Sequence, residues 1–215
     1  MVESRVYAKQ QGVPRYSDDT WVALRASRDG SPIGMPWQVA LTIEGKAFQI
    51  RQGNLTTPVT GRVDITDTLS EMAAEAASGY TLIPMYVNCE IEALGGTLPQ
   101  ACLKSVGAVI TTLGTQVVPM NLRVGGPAAA GRAAAGATAG LVVVAAELNT
   151  TTRVIVSGHT SAIGDAQPTI LDHQVEVPHI LVGPASVYFQ IGTVTTGSTY
   201  FAFLNYAELL TNDIT

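Results

Sequence analysis

Apolar and polar residues alternate with a period of two along most of this chain, and that pattern predicts strands rather than helices. The longest predicted strand covers residues 81–94. Its polar face carries Tyr86 and Asn88, and Pro84 is expected at its start or on a sheet edge, because proline cannot donate a ladder hydrogen bond. Its apolar face carries Ile83, Met85, Val87, Cys89 and Ile91.

A hairpin is predicted upstream of this strand. Residues 37–43 alternate in the same way, and their apolar face holds Trp37, which is therefore expected in the core. Glu44-Gly45-Lys46 supplies a tight turn, after which Phe48 and Ile50 share one face of the second strand. Further strands are predicted at Trp21–Ser27, Gly61–Ile65, Ala108–Thr112, Gln116–Val124, Leu141–Ala146, Thr152–Ser157, Gln174–Val182, Ser186–Thr193 and Thr199–Glu208.

About eleven short strands separated by turn residues predict an all-β fold, a jelly-roll-like antiparallel sandwich with one short helix. The helix is expected at Asp67–Ser78, which is rich in Ala, Glu and Met, with Asp67 at its start and Gly79 at its end. Such a helix would close one end of the barrel. Its acidic residues Glu71 and Glu75 have no evident partner in the sequence.

The chain divides into a polar N-terminal arm, residues 1–19, and a β-sandwich, residues 20–215. The segment Gly125–Gly140, called the Gly/Ala segment below, consists almost entirely of Gly and Ala around one Pro and one Arg. Its small side chains are typical of a flexible loop, or of an arm that reaches a neighbouring subunit. A split into two β domains at this segment stays open.

Charge is sparse. Only 13% of the residues are charged, the net charge is −5, and no Lys/Arg cluster is present, so we expect no nucleic-acid partner. So little charge favours a surface that is partly covered by partners. The N-terminus lacks an apolar signal region and the longest apolar run, Leu141–Ala146, is too short to span a bilayer, so synthesis in a host cytoplasm and no membrane partner are expected.

Side chains that could carry chemistry form no recognisable motif. Cys89 and Cys102 are predicted as buried free thiols, with a cross-strand disulfide as the alternative. Ser157-Gly158-His159 places a hydroxyl beside an imidazole, but chain neighbours rarely point at each other. The histidines lack the spacing of a metal site and are expected in turns or on the surface: His159, His173 and His179.

Glu90 and Glu92 lie on one face of the long strand, about 7 Å apart by strand rise. That separation is compatible with glycoside cleavage, but it is also what an ordinary solvent face looks like, and the solvent face is favoured. We therefore predict no enzyme activity, no catalytic residue, no metal and no cofactor.

The last predicted strand is apolar on both faces. Tyr200 and Tyr206 lie on one face, and Phe201 and Phe203 lie on the other. A strand of this kind is either central in a sandwich or covered by another subunit.

The segment Gly197–Leu204, supported by the hairpin at Trp37–Ile50, resembles the jelly-roll modules of viral and phage virion proteins, and also the trimeric jelly rolls of the tumour-necrosis-factor type. The resemblance implies a homo-oligomer, most simply a trimer, located in the virion, with other capsid or tail proteins as partners and no catalytic residues. The subunit interface it implies contains Tyr200, Phe201, Phe203 and Tyr206.

The leading prediction is thus a virion structural protein, such as a capsid decoration or cement protein, that acts by self-assembly. One alternative is a receptor- or carbohydrate-binding jelly-roll module of a phage tail, which would present an exposed Trp or Tyr platform beside carboxamides. Another is a small-barrel enzyme of the cupin type, which would contain bound metal.

Overall fold

A computed structural model describes residues 6–7, 21–22, 36–54, 56–63, 70–93, 99–112, 115–136, 142–143, 149–155, 169–193 and 196–213. These residues contain one α-helix, α1 (Trp37–Ile43), and a 3₁₀ turn at Thr211–Asp213. The strands are β1 (Val6–Tyr7), β2 (Trp21–Val22), β3 (Ala47–Gln52), β4 (Val59–Thr60), β5 (Met72–Ala76), β6 (Tyr80–Ala93), β7 (Gln100–Val106), β8 (Ile110–Thr112), β9 (Thr115–Val117), β10 (Met120–Asn121), β11 (Ala133–Ala135), β12 (Val142–Val143), β13 (Asn149–Ile155), β14 (Thr169–Gln174), β15 (Leu181–Val182), β16 (Ala185–Gly192) and β17 (Thr199–Leu210).

The eight principal strands form four nested antiparallel pairs. β3 pairs with β17, β5 with β16, β6 with β14, and β7 with β13. β17 also pairs with β6, which joins two of these pairs into sheet 1 in the order β3-β17-β6-β14. β16 also pairs with β7, which joins the other two into sheet 2 in the order β5-β16-β7-β13. This nested winding is the jelly-roll arrangement. The all-β, jelly-roll-like prediction is confirmed.

An insertion between β7 and β13 extends both sheets on the same side. β10 adds to sheet 1 beside β3, and β11 followed by β9 adds to sheet 2 beside β5. The insertion also corrects part of the prediction for the Gly/Ala segment. Its residues Ala133–Ala135 form a fully buried strand, whereas residues 125–132 form a loop. Small side chains suit this place, since a Cβ on Gly131 would clash with the backbone oxygen of Glu75. Residues 137–140 lie outside the described residues.

The core fills the space between the inner faces of the two sheets. Phe189 of sheet 2 packs against Tyr200 of sheet 1 with 6.2 Å between ring centroids, and Phe48 packs against Tyr206 at 5.9 Å. Cys89 lies in this core as predicted. Both cysteines are buried free thiols, so the disulfide alternative is wrong.

The long predicted strand is confirmed as β6, with one change of face. Pro84 lies inside the strand, at a bulge where the register against β17 shifts, so its prediction as a strand start or edge is wrong. Proline has no N–H to donate, and it fits there because the regular ladder is already disrupted at the bulge. Beyond the bulge, Val87 and Cys89 face the core, whereas Met85 packs on the opposite face of sheet 1.

The first half of the predicted hairpin is α1, not a strand. The Ala40 N–H donates to the Pro36 carbonyl at 3.1 Å, and Gly45, with a φ of +73°, ends the helix. Leu41 packs against the cluster of Ala47, Met85 and Ala207 on the outer face of sheet 1. Trp37 is 37% exposed, so its assignment to the core is wrong.

The prediction of a helix at Asp67–Ser78 is wrong for residues 70–78, which the structure describes. Residues 72–76 form β5, which is fully buried between β16 and β11. The intrinsic helix preference of Ala, Met and Glu amounts to tenths of a kcal/mol per residue, which pairing on both sides outweighs. The alanines allow β5 to pack closely between its neighbours.

Several predicted boundaries also change. The strand predicted at Gln116–Val124 is divided at Val118–Pro119 into β9 of sheet 2 and β10 of sheet 1. Within the strand predicted at Gln174–Val182, residues 175–180 form a loop between β14 and β15. Near Gly61–Ile65 only an isolated bridge from Arg62 to Gly192 is described. Most of the N-terminal arm, of Trp21–Ser27 and of Leu141–Ala146 lies outside the described residues.

Candidate functional site

The four aromatic residues predicted at a subunit interface are divided between two environments. Tyr200 and Tyr206 are fully buried and point into the core of the chain itself. Phe201 and Phe203 lie on the opposite, outer face of sheet 1, half-buried. The predicted alternation of β17 is therefore confirmed, and for Phe201 and Phe203 the role in a subunit contact stays a prediction.

The outer face of sheet 1 carries a row of carboxamides. The strand register places Gln49, Asn205, Tyr86 and Gln174 side by side on β3, β17, β6 and β14. The Gln49 side-chain N–H donates to Asn205 Oδ1 at 3.0 Å, which orients the Asn205 amide within the row. This row depends on four strands from distant parts of the chain.

Tyr86 is fixed by two neighbours, Phe203 and Asp172. Its ring lies 5.5 Å from that of Phe203, and its hydroxyl donates to Asp172 Oδ1 at 2.6 Å. Partial burial, and then the bond to Asp172, raise the pKa of Tyr86, so the hydroxyl stays neutral. Asn88, one row away, has a buried Oδ1 without a hydrogen-bond partner among the described residues.

A cleft of about 350 Å³ lies between this row and α1, and is called the amide cleft below. Its polar lining consists of the side chains of Gln38, Thr42, Tyr86, Gln174 and Asn205. Its apolar lining consists of Val39, Ile43, Met85 and Leu122. None of the described residues that line the cleft is charged, so the site offers hydrogen bonds and apolar contact but no counter-charge.

A second feature lies on the side of the sandwich formed by the insertion. Val118 is 84% exposed, Met120 is 48% exposed and Val124 is 98% exposed. We call these three residues the edge surface. Within the described part of the chain β9 and β10 each pair on one side only, so open strand edges lie next to these apolar side chains.

Buried carboxyl groups hold the fold together rather than forming an open site. Glu71 Oε1 accepts from the Arg62 backbone N–H at 3.1 Å, and Glu71 Oε2 accepts from the Tyr200 hydroxyl at 3.3 Å. Burial raises the pKa of Glu71 to about 8, against the opposing effect of Arg62. Glu75 pairs with Arg132.

These acidic residues therefore have partners that the sequence analysis missed. A signal was present, because Arg132 is the sole charged residue of the Gly/Ala segment and a charge in such a context calls for a partner. Glu208 acts similarly, since its carboxylate accepts from the backbone N–H groups of Ala130 and Gly131 at 2.6 and 2.7 Å. Together these bonds fix the insertion to both sheets.

The structure does not bring the other candidate residues together. His173 is half-buried in β14, whereas His179 lies in the following loop with its Nδ1 3.3 Å from Ser105 Oγ. Ser157 and His159 lie outside the described residues. Glu90 is half-buried and Glu92 exposed, as on a solvent face.

The described residues contain no group of three or more His, Cys, Asp or Glu side chains that could hold a metal ion. In the same part of the chain, no helix has the length and apolar character needed to cross a membrane. No protein-family model matches the chain, and no match is found among the curated proteins or the solved structures. The jelly-roll order alone occurs in shell proteins, lectins and cupins, so function has to be argued from the surfaces.

Proposed function

We propose that this chain is a structural protein of a virion, a capsid decoration or cement component, which acts by assembling with copies of itself and with other shell proteins. The observation that carries the proposal is the edge surface. Three large apolar side chains are exposed there within seven residues of one another, next to the open edges of both sheets. The low charge of the whole chain agrees with a molecule whose surface is partly covered.

Burial of the edge surface would stabilise a contact between subunits. Removing a valine side chain from water contributes roughly 1.5 kcal/mol or more, so Val118 and Val124 together contribute about 3 kcal/mol to each contact. The open edges of β9 and β10 add unpaired backbone donors and acceptors, which a strand of a neighbouring subunit can satisfy. Apolar packing and strand pairing then act at the same place.

The insertion that carries this surface is held in place before any partner binds. Glu208 binds the backbone at Ala130 and Gly131, and Arg132 binds Glu75 of β5. A surface that is already ordered loses little conformational entropy when a subunit docks on it. This suits a protein whose function is to form many identical contacts.

The proposal is tested by sedimentation velocity on the wild type and on the double variant V118D/V124D, over a tenfold range of concentration. We expect the wild type to sediment as an oligomer and the double variant as a monomer, because two carboxylates would have to be desolvated in the contact. The matched control is Val177→Asp, at a valine that is 85% exposed beyond β14, on the far side of sheet 1. Equal assembly of the double variant and the wild type would contradict the proposal.

A further inference from the structure

We propose that the amide cleft is a binding site for a neutral saccharide. This goes beyond the structural role and does not rest on it. The cleft adjoins the edge surface, because Met120 pairs with Gln49 of the row and Leu122 lines the cleft, but none of the three edge-surface residues lines it. The cleft volume of about 350 Å³ falls at the lower end of the range for small-molecule sites, so a ligand of one or two sugar rings fits it.

The polar groups of the cleft select a ligand rich in hydroxyl groups. A carboxamide offers both a donor and an acceptor, so one side chain can bind two adjacent hydroxyl groups of a sugar. Asn205 Oδ1 already accepts from Gln49, which directs the Asn205 N–H₂ group toward another acceptor. The Tyr86 hydroxyl donates to Asp172, and its oxygen can accept a further hydrogen bond.

The apolar part of the lining suits the C–H groups of a sugar ring. Val39 and Ile43 of α1 and Met85 and Tyr86 of β6 line the cleft. Apolar side chains can pack against the C–H groups of a pyranose ring. A tyrosine adds an apolar ring that ends in a polar hydroxyl group. A purely apolar ligand would strip water from the amides without replacing their hydrogen bonds, which opposes its binding.

The absence of a cation from the described lining argues against an anionic ligand. None of the described residues that line the cleft is a cation, so a carboxylate or phosphate ligand would lose its hydration without gaining a partner. Asp172 stands beside the cleft, held by Tyr86, and would repel an anion. A neutral saccharide is the ligand class that uses every part of this lining.

The test is saturation-transfer difference NMR on the full chain with galactose, glucose, mannose, N-acetylglucosamine, lactose and maltose, each titrated to roughly 10 mM, a range that covers weak sugar binding. We expect at least one of these sugars to bind. Q174A and N205A should each weaken that sugar by about tenfold, because each removes hydrogen bonds worth about 1.4 kcal/mol. Q116A, at an exposed glutamine on β9 of the other sheet, is the matched control and should bind like the wild type.

A charged probe completes the test. The uronate of the sugar that binds should bind at least about tenfold more weakly than that sugar, since no cation is among the described residues that line the cleft. The proposal is overturned if no sugar of the panel binds, if Q174A and N205A bind as the wild type does, or if the uronate binds as well as its parent sugar. Unchanged thermal denaturation of the variants shows that a loss of binding comes from the cleft and not from unfolding.

Discussion

Glu71→Gln is expected to stabilise the protein, by an amount that grows with pH. The carboxyl of Glu71 is fully buried, and burial raises its pKa to about 8 from the ordinary value of 4.5. Between these two values the folded chain holds a proton that the unfolded chain releases. The stability that this proton contributes is complete below pH 4.5 and is lost as the pH rises through 8.

The size of the effect follows from the shift. Each pH unit in that interval lowers the free energy of unfolding by about 1.4 kcal/mol, so the full interval of 3.5 units, from 4.5 to 8, amounts to about 5 kcal/mol. Glutamine mimics the protonated carboxyl, because its oxygen can accept from the Arg62 N–H and its amide can face the Tyr200 hydroxyl. At pH 7 the variant should therefore be about 3 kcal/mol more stable than the wild type, and at pH 5 less than about 1 kcal/mol more stable.

Urea denaturation followed by far-UV circular dichroism at pH 5, 6, 7 and 8 measures this difference. Glu44→Gln, which removes an exposed carboxyl at the end of α1, is the matched control and should leave the pH profile of the wild type unchanged. Parallel profiles for Glu71→Gln and the wild type would refute the reasoning. They would mean that Arg62 keeps the buried carboxyl ionised in the folded chain.

Two substitutions and one reactivity measurement test how the fold is held together. Glu208→Ala removes the acceptor for two backbone N–H groups of the Gly/Ala segment and should lower the free energy of unfolding by about 2 kcal/mol; an unchanged denaturation midpoint would show that other contacts hold the segment. Phe189→Ala empties the centre of the core and should cost about 3–5 kcal/mol by the same urea assay, and a cost below about 1 kcal/mol would contradict the packing. Burial also raises the pKa of the Cys89 thiol, so Cys89 and Cys102 should react with a thiol reagent only in denaturant; rapid reaction of the native protein would place them at the surface.

The sequence predicted the fold class and the alternating faces of β3 and β17, because burial in a sandwich imposes a period of two directly on the residues. It did not predict β7 or most of β14, and it predicted a helix where β5 lies. In β17 the burial of Tyr200 and Tyr206 and the partial exposure of Phe201 and Phe203 follow that alternation without exception. The same periodicity failed at Trp37, because seven alternating residues can also form two turns of helix when an apolar patch, here Ala47, Met85 and Ala207, is available to support them. That patch is visible only after the strands are paired.

The segment around β5 shows the opposite error. Its alanines favour a helix locally, and only its place between β16 and β11 explains why they form a strand. The amide cleft could not be predicted for a related reason. Its row joins Gln49, Tyr86 and Asn205 through the pairing of three strands and through the bulge at Pro84, none of which is encoded in local sequence.

The measurement that tests the central claim most directly is the solution mass of the wild-type protein by light scattering on a sizing column, across a tenfold dilution. The chain mass is 22.5 kDa. Assembly through the edge surface predicts a mass that is a whole multiple of this value and that persists on dilution. A monomer at every concentration would contradict the claim that this protein acts by self-assembly.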